Sequence, residues 1–221
     1  MATRFTILAC SIHCMFHFSS AIAAEPAKST LIFSLGNSSA PNACKSPWTL
    51  LADPGFECTE GYQVFRFAYN YNFTPAWGVE FSVGDISNSK GSGTIAGGDP
   101  YTFQMKTTGV SLSGIGSVHV GENFSIFAKA GVARVILKEN IRKITAGSTF
   151  NGISLNGVGT TDYEENALTY GLGIQYDFDE TFGIRVQYES FGRFDVYSKY
   201  GLTTPDPIQL SVVSAGFVLH Y

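Results

Sequence analysis

The feature that most constrains this chain is a strict alternation of large apolar side chains with small or polar ones, segment after segment. From Phe182 to Tyr188, one side carries Phe182, Ile184, Val186 and Tyr188, and the other Gly183, Arg185, Gln187 and then Glu189. The segment before it opposes Leu168, Tyr170, Leu172, Ile174, Tyr176 and Phe178 to Thr169, Gly171, Gly173, Gln175 and Asp177. A period of two puts successive side chains on opposite faces of an extended strand. Faces of such different chemistry need two different surroundings.

Six more segments read the same way. The first is short, near Thr30 to Gly36, with Leu31, Phe33 and Leu35 on the apolar face. The second, about Tyr62 to Asn72, opposes Phe65, Phe67, Tyr69 and Tyr71 to Arg66, Ala68 and Asn70. The third, Trp77 to Asp85, opposes Trp77, Val79, Phe81 and Val83 to Gly78, Glu80, Ser82 and Gly84. The fourth covers about Thr107 to Val120, with Val110, Leu112, Val118 and Val120 on its apolar face. The fifth begins at Phe124 and sets Ile126, Ala128, Ala130 and Val132 against Ser125, Phe127, Lys129 and Gly131. The last runs to Tyr221, with Val213, Ala215, Phe217 and Leu219 apolar and Ser214, Gly216, Val218 and His220 opposite. The eight strands are joined alternately by short turns, at 73–76, 121–123 and 179–181, and by long connections, at 37–61, 86–106, 137–166 and 192–207.

Periodicity alone does not say which face is inside. A soluble sandwich or lipocalin would bury the large apolar residues, whereas a membrane barrel would turn them outward. Three features favour the membrane barrel. Aromatics gather where strands meet the short turns (Tyr71, Phe73, Trp77, Phe124, Tyr176, Phe178, Phe182 and Tyr221), as at a lipid–water interface. The polar faces are rich in Gly, Ser and Ala, small enough for the narrow interior of an eight-stranded barrel. The final strand ends on an aromatic preceded by alternating apolar residues. The expected fold is all-β, an eight-stranded antiparallel up-and-down transmembrane β-barrel, with both termini at the short-turn, periplasmic end.

Composition agrees. Charged residues make up 14% of the chain, against about 25% in soluble proteins, while aromatics reach 14%. That is too aromatic for a disordered chain. The net charge of −4, with no basic cluster, excludes nucleic acid as the expected partner. Arg4, the mostly apolar run from Phe5 and the small residues Ala21-Ile22-Ala23 read as a signal peptide over 1–23, cleaved after Ala23 or Ala24. The barrel domain then occupies 24–221, and no later run of about 18 apolar residues offers a membrane helix. Removing the leader takes Cys10 and Cys14 with it. Cys44 and Cys58 remain, and an even pair in an exported protein favours a disulfide over a metal site.

Two stretches carry a family resemblance. Gly171-Leu172-Gly173-Ile174-Gln175-Tyr176-Asp177-Phe178 followed by Phe182-Gly183-Ile184-Arg185-Val186-Gln187-Tyr188-Glu189 resembles the sixth and seventh strands of the OmpA-like transmembrane domain. Tyr69-Asn70-Tyr71-Asn72-Phe73-Thr74-Pro75, leading to Gly78-Val79-Glu80, is similar to its second hairpin. The resemblance covers most of the mature chain and implies a stand-alone barrel in the bacterial outer membrane. OmpA itself continues into a peptidoglycan-binding domain; here the eighth strand is the last, so cell-wall anchoring is not expected.

The functional expectations follow from the two faces and the loops. Arg66, Glu80, Lys129, Arg185 and Glu189 fall on the inward face and should form an ion-pair network in the lumen, since unpaired buried charges are costly. The favoured expectation is a plugged polar core; the alternative is a small ion pore gated by partner exchange among these charges. Tyr62, Tyr101, Phe150, Tyr163, Phe194, Tyr197 and Tyr200 fall in the long connections among Gly, Ser, Thr and Asn, a composition suited to surface recognition or adhesion. Asn151-Gly152 and Asn156-Gly157 are read as hairpin turns that extend the fifth and sixth strands. A lipid-modifying enzyme is the least favoured reading, because His119 and His220 both point inward and neither has a carboxylate at a triad spacing. No cofactor or metal is expected. The expected partners are outer-membrane lipid and lipopolysaccharide, the barrel-assembly machinery acting on the strand that ends at Tyr221, and an extracellular or host ligand.

Overall fold

The structure is a computed structural model that describes residues 29–45, 57–95, 99–143, 149–150, 153–154, 159–194 and 207–221. The segment read as a signal peptide lies outside them, as do Asn151, Gly152, Asn156, Gly157, Tyr197 and Tyr200. The strands are β1 (Ser29–Ser39), β2 (Glu57–Thr59), β3 (Gln63–Asn72), β4 (Trp77–Ile95), β5 (Asp99–His119), β6 (Phe124–Lys143), β7 (Thr149–Phe150), β8 (Ile153–Ser154), β9 (Gly159–Asp177), β10 (Phe182–Phe194) and β11 (Ile208–His220). Eight of them close a ring in the order β1-β3-β4-β5-β6-β9-β10-β11, with β11 paired back to β1. Every pairing is antiparallel. The eight-stranded up-and-down barrel expected from the alternation is therefore the observed fold.

The outward face confirms which side meets lipid. Leu168, Phe217, Leu35 and Val118 are 76%, 74%, 68% and 68% exposed, and the outward apolar residues of every barrel strand join them. A surface this apolar is rare on a soluble monomer. The turn-end aromatics Phe73, Trp77, Phe178, Phe182 and Tyr221 are all exposed at one rim. Tight hydrogen bonds close the turns there, such as Val120 N–H to Phe124 O at 2.7 Å and Phe178 N–H to Phe182 O at 2.8 Å. Tyr221 N–H bonds Ser29 O at 3.1 Å, so the first and last strands meet at the same rim.

The other end differs from expectation. Residues 86–106 and 137–166 read as long loops in the sequence, yet β4 and β5 run on to Ile95 and Asp99, and β6 and β9 to Lys143 and Gly159. From Thr108 back to Asp99, β5 adds about 30 Å of strand at roughly 3.3 Å per residue. The reason is that the alternation reverses its meaning. Up to Val83, Val110, Val132 and Leu168 the outward residues are apolar and exposed. Just beyond, the outward positions are taken by Asp85, Lys106, Arg134 and Asn166. Inside, the change runs the other way: Phe103 and Met105 of β5, Val135 and Leu137 of β6, Phe191 and Phe194 of β10 and Leu210 and Val212 of β11 form one buried cluster. The barrel is thus apolar-out within the membrane, and above it the interior holds this apolar cluster beside buried Ser87, Ser89, Thr107 and Glu139. Each Leu, Ile or Phe fully buried in that upper core contributes roughly 1.5–3 kcal/mol.

Two bulges accompany the reversal. The β4–β5 register shifts between Asp85 and Ser87, so Glu80 and Ser82 face inward before it and Ser87 and Ser89 after it. The β10–β11 register shifts between Ser190 and Arg193, where Gly192 takes φ 86°, a left-handed conformation that favours glycine. The slip buries the adjacent Ser190 and Phe191 together. At the outer end, the turn Ala43–Lys45 tucks Ala40 and Ala43 into the upper core. A Cys44–Cys58 disulfide ties this turn to β2, which lies against β4 at Lys90–Ser92. β7 and β8 pair Phe150 with Ile153 in a separate hairpin rather than extending the sixth and ninth elements.

Candidate functional site

The five inward charges converge midway through the barrel, each 1–4% exposed. Arg66 comes from β3, Glu80 from β4, Lys129 from β6, and Arg185 and Glu189 from β10. Lys129 Nζ donates to Glu80 Oε1 at 2.6 Å and to Glu189 Oε2 at 3.0 Å. Arg185 Nη1 donates to the other Glu80 oxygen at 2.8 Å. Arg66 Nη2 stands 3.6 Å from Glu189 Oε1, an ion pair without a hydrogen bond, and donates instead to Ser82 Oγ at 2.6 Å. Arginine, glutamate, lysine, glutamate and arginine thus form one line of alternating charge. All five inward charges singled out in the sequence take part in this line of contacts.

The reach of Lys129 depends on a glycine. Across β6–β9–β10, Lys129 is level with Gly171 and Gly171 with Glu189. A Cβ on Gly171 would stand 3.1 Å from Lys129 Cε and 2.7 Å from Tyr188 O. With hydrogen there, the lysine crosses an entire strand to its second carboxylate.

Aromatic rings close the line on both sides. The Arg66 guanidinium lies 4.6 Å from the Phe191 ring centroid, toward the outer end. That of Arg185 lies 3.7 Å from the Phe127 ring, toward the turns. Such stacking covers guanidinium faces that carboxylates do not reach. Ser111 Oγ bonds Ser82 Oγ at 2.7 Å, and Thr169 Oγ1 reaches Glu189 Oε1 at 3.4 Å while donating to Ser190 O at 2.9 Å. Neither ring was marked as a partner by the sequence, although Phe127 stands out as a lone aromatic on a polar strand face. Phe191 continues the inward parity of Arg185, Gln187 and Glu189, and the β10 bulge instead turns Phe194 inward.

A second polar group closes the turn end. His220 lies inward as expected, but the fold supplies the carboxylate that linear spacing did not show. Its Nε2 contacts Asp177 Oδ1 at 3.0 Å and its Nδ1 contacts Thr30 Oγ1 at 3.3 Å. The carboxylate can only accept, so Nε2–H is the donor to Asp177. His119 pairs with inward-facing Ser125, on the expected side, but stands at the open rim and is exposed. In the adjacent turn, Asp179 accepts the N–H groups of Thr181 and Phe182 at 2.7 and 2.8 Å. Those two bonds hold its carboxyl below the usual aspartate range, largest from Thr181.

The aromatic set expected on surface loops is divided by the fold. Tyr62 is exposed and lies under the Lys90 ammonium, 5.2 Å from ring centroid to nitrogen. Phe194 is instead buried in the upper core, with Tyr163 packed against it half-buried. Tyr101 and Phe150 belong to strands β5 and β7. Among the described residues, no group of three or more His, Cys, Asp or Glu is placed to hold a metal ion.

Solved structures with the same architecture include OprG of Pseudomonas aeruginosa, at 15% identity, TM-score 0.51, covering 91% of this chain and all of that one. They also include Ail of Yersinia pestis, at 16% identity and TM-score 0.46, covering 88% and 99%, and Neisserial surface protein A, at 11% and 0.48, covering 88% and 97%. At these identities the likeness is one of fold. No curated protein matches the chain by sequence. The family model for the outer membrane protein beta-barrel domain matches residues 13–220, nearly the whole length. Closed ring, lipid-facing apolar band and polar interior agree with that match: the chain belongs to the outer membrane protein beta-barrel family and resides in the bacterial outer membrane.

Proposed function

We propose that the protein is a closed barrel that serves as a structural element of the outer membrane and presents its projecting hairpins for recognition at the cell surface. The observation that carries this reading is the apolar plug above the charged layer, where Phe103, Met105, Phe191, Phe194 and Leu210 are all at most 2% exposed. An ion crossing the lumen would have to pass both that core and the aromatic-capped ion pairs, each crossing opposed by desolvation. With the lumen filled, chemistry available to partners lies on β4–β5 and β6–β9 outside the membrane. We assign no enzymatic role, because both ring nitrogens of His220 are engaged within the turn-end mouth. The lipid-facing wall makes outer-membrane lipid and lipopolysaccharide its immediate neighbours. The strand β11, with Val213, Phe217 and Tyr221 exposed along its outer side, is the surface we assign to the barrel-assembly machinery.

Planar-bilayer recordings combined with a hairpin-tip variant test the reading. Purified folded protein should pass no discrete current. Replacing residues 93–101 with Asn-Gly should leave the folded barrel intact and abolish adherence of expressing cells to matrix or host-cell surfaces. A steady conductance altered by Glu80→Ala would establish the pore instead, and adherence unchanged by the tip variant would refute recognition through this hairpin.

A further inference from the structure

The outward face of the projecting sheet holds a shallow, open cleft of about 530 Å3. It is lined by Glu57 and Thr59 of β2, Lys90 and Ser92 of β4, Gln104 of β5 and Asn140 of β6. We propose that this cleft binds saccharide, namely the sugar chains of the lipopolysaccharide standing beside the barrel. The inference deepens the recognition reading above by naming the site and the ligand class.

The ligand chemistry follows from the lining. One acid and one base cancel, and the remaining named side chains are hydroxyls and amides. Such a surface offers many donors and acceptors and no net field, which suits an uncharged polyhydroxylated chain. Phe103 also lines the cleft, but its ring is 2% exposed and belongs to the upper core, and Lys90 alone makes no cationic array for a polyphosphate. The lining is also ordered before any ligand arrives. The Lys90 ammonium is held over the Tyr62 ring, and Gln104 Nε2 donates to Asn88 Oδ1 at 3.1 Å. The Cys44–Cys58 bridge fixes β2, and with it Glu57 and Thr59, against the edge of β4.

The source follows from the direction of the cleft. Ser89, Phe103, Met105 and Glu139 point inward and are buried, so their neighbours Lys90, Gln104 and Asn140 point away from the barrel axis. The cleft consequently opens sideways, along the membrane plane. Lys106, paired with Asp85 at 3.2 Å, marks the end of the apolar band. Gln104 lies two residues further out, about 7 Å along the strand. That is the layer in which lipopolysaccharide sugars stand, and a lateral opening faces them directly.

The test titrates full-length protein, folded in micelles free of lipopolysaccharide, with lipid-free core oligosaccharide released from lipopolysaccharide. Amide and methyl chemical shifts report the binding. Saturable binding with a Kd of about 1 mM or tighter is expected. Ser92→Trp, which fills the cleft from an exposed position, and Gln104→Ala should each weaken it at least about tenfold. Arg134→Ala, on the same outward face but outside the cleft, should leave it unchanged. Heat-modifiable gel migration verifies that every variant is folded. A neutral glycan from a foreign surface that binds with the same Ser92→Trp sensitivity, while core oligosaccharide does not, keeps the saccharide site and moves its source to another cell. Absence of saturable binding by either sugar, or binding indifferent to Ser92→Trp and Gln104→Ala, overturns the proposal. Conductance and tip-variant adherence are read separately, so failure here is distinct from failure of the closed-barrel reading.

Discussion

Removing the charge of Glu80 should cost more than removing that of Arg185, and losing both should cost less than losing Glu80 alone. Glu80 is 2% exposed and accepts from Lys129 at 2.6 Å and Arg185 at 2.8 Å. At an effective dielectric near 20, opposite charges about 4 Å apart attract by roughly 4 kcal/mol, against several kcal/mol of desolvation for each ion. Glu80→Gln keeps the volume but leaves Arg66, Lys129 and Arg185 facing only Glu189. Breaking a buried pair from one side costs about 3–5 kcal/mol, because the partner charge stays buried. Arg185→Met leaves two cations and two anions, with Glu80 still held by Lys129, and should cost less than half as much. In the double variant, Arg66, Glu189 and Lys129 remain as a satisfied trio and the Met covers Phe127 in place of the guanidinium. Urea unfolding in micelles, followed by unheated gel migration and tryptophan fluorescence, gives the free energies. A Glu80→Gln cost below about 1 kcal/mol, or costs that simply add in the double variant, would refute the assignment of the lumen as a coupled ion-pair plug.

The upper core, disulfide and turn give further expectations. Phe103→Ala should cost about 3–5 kcal/mol in the same unfolding experiment, as a truncated core residue does, although its strand position lies outside the membrane. A surface-loop phenylalanine would cost nothing measurable. Reducing Cys44–Cys58, whose loop spans 14 residues of separation, should remove up to about 3 kcal/mol of local constraint. Hydrogen exchange should then quicken in β2 and at Lys90–Ser92, with the membrane portion unchanged. Asp179 has a folded pKa below its ordinary 3.8. Its contribution is therefore fully present above that value and is lost as pH falls through the folded pKa. The stability difference between wild type and Asp179→Asn, measured from pH 7 downward, should shrink as the pH falls below 3.8; a difference that does not change with pH contradicts the turn geometry.

How much of this was legible follows from the physics of each face. Within the membrane, alternation depends on lipid outside and a narrow lumen inside, so Phe182–Glu189 and Leu168–Asp177 disclosed strand, face and charge partners together. Arg66, Glu80, Lys129, Arg185 and Glu189 were readable because each interrupts a polar face with a charge that must find a partner. Above the membrane the outside solvent becomes water and the same alternation carries the opposite sense, so Thr102–Lys106 and Leu137–Asn140 looked like loop. The slip at Ile86 hid the continuity of β4 further, since one extra residue exchanges the two faces. His220 and Asp177 come together through strand pairing between segments distant in sequence, which no linear spacing encodes.

The barrel wall changes from lipid-facing to water-facing between Val110 and Lys106. Spin labels placed one at a time at outward positions of β5 (Thr102, Gln104, Lys106, Val110, Leu112 and Val118), in protein reconstituted into bilayers, measure this directly through collisions with oxygen and with a water-soluble nickel complex. Oxygen should dominate from Val110 to Val118 and the nickel complex from Lys106 to Thr102, with one crossing between them. Labels at Gln104 and Thr102 that report lipid, or labels at Leu112 that report water, would contradict it.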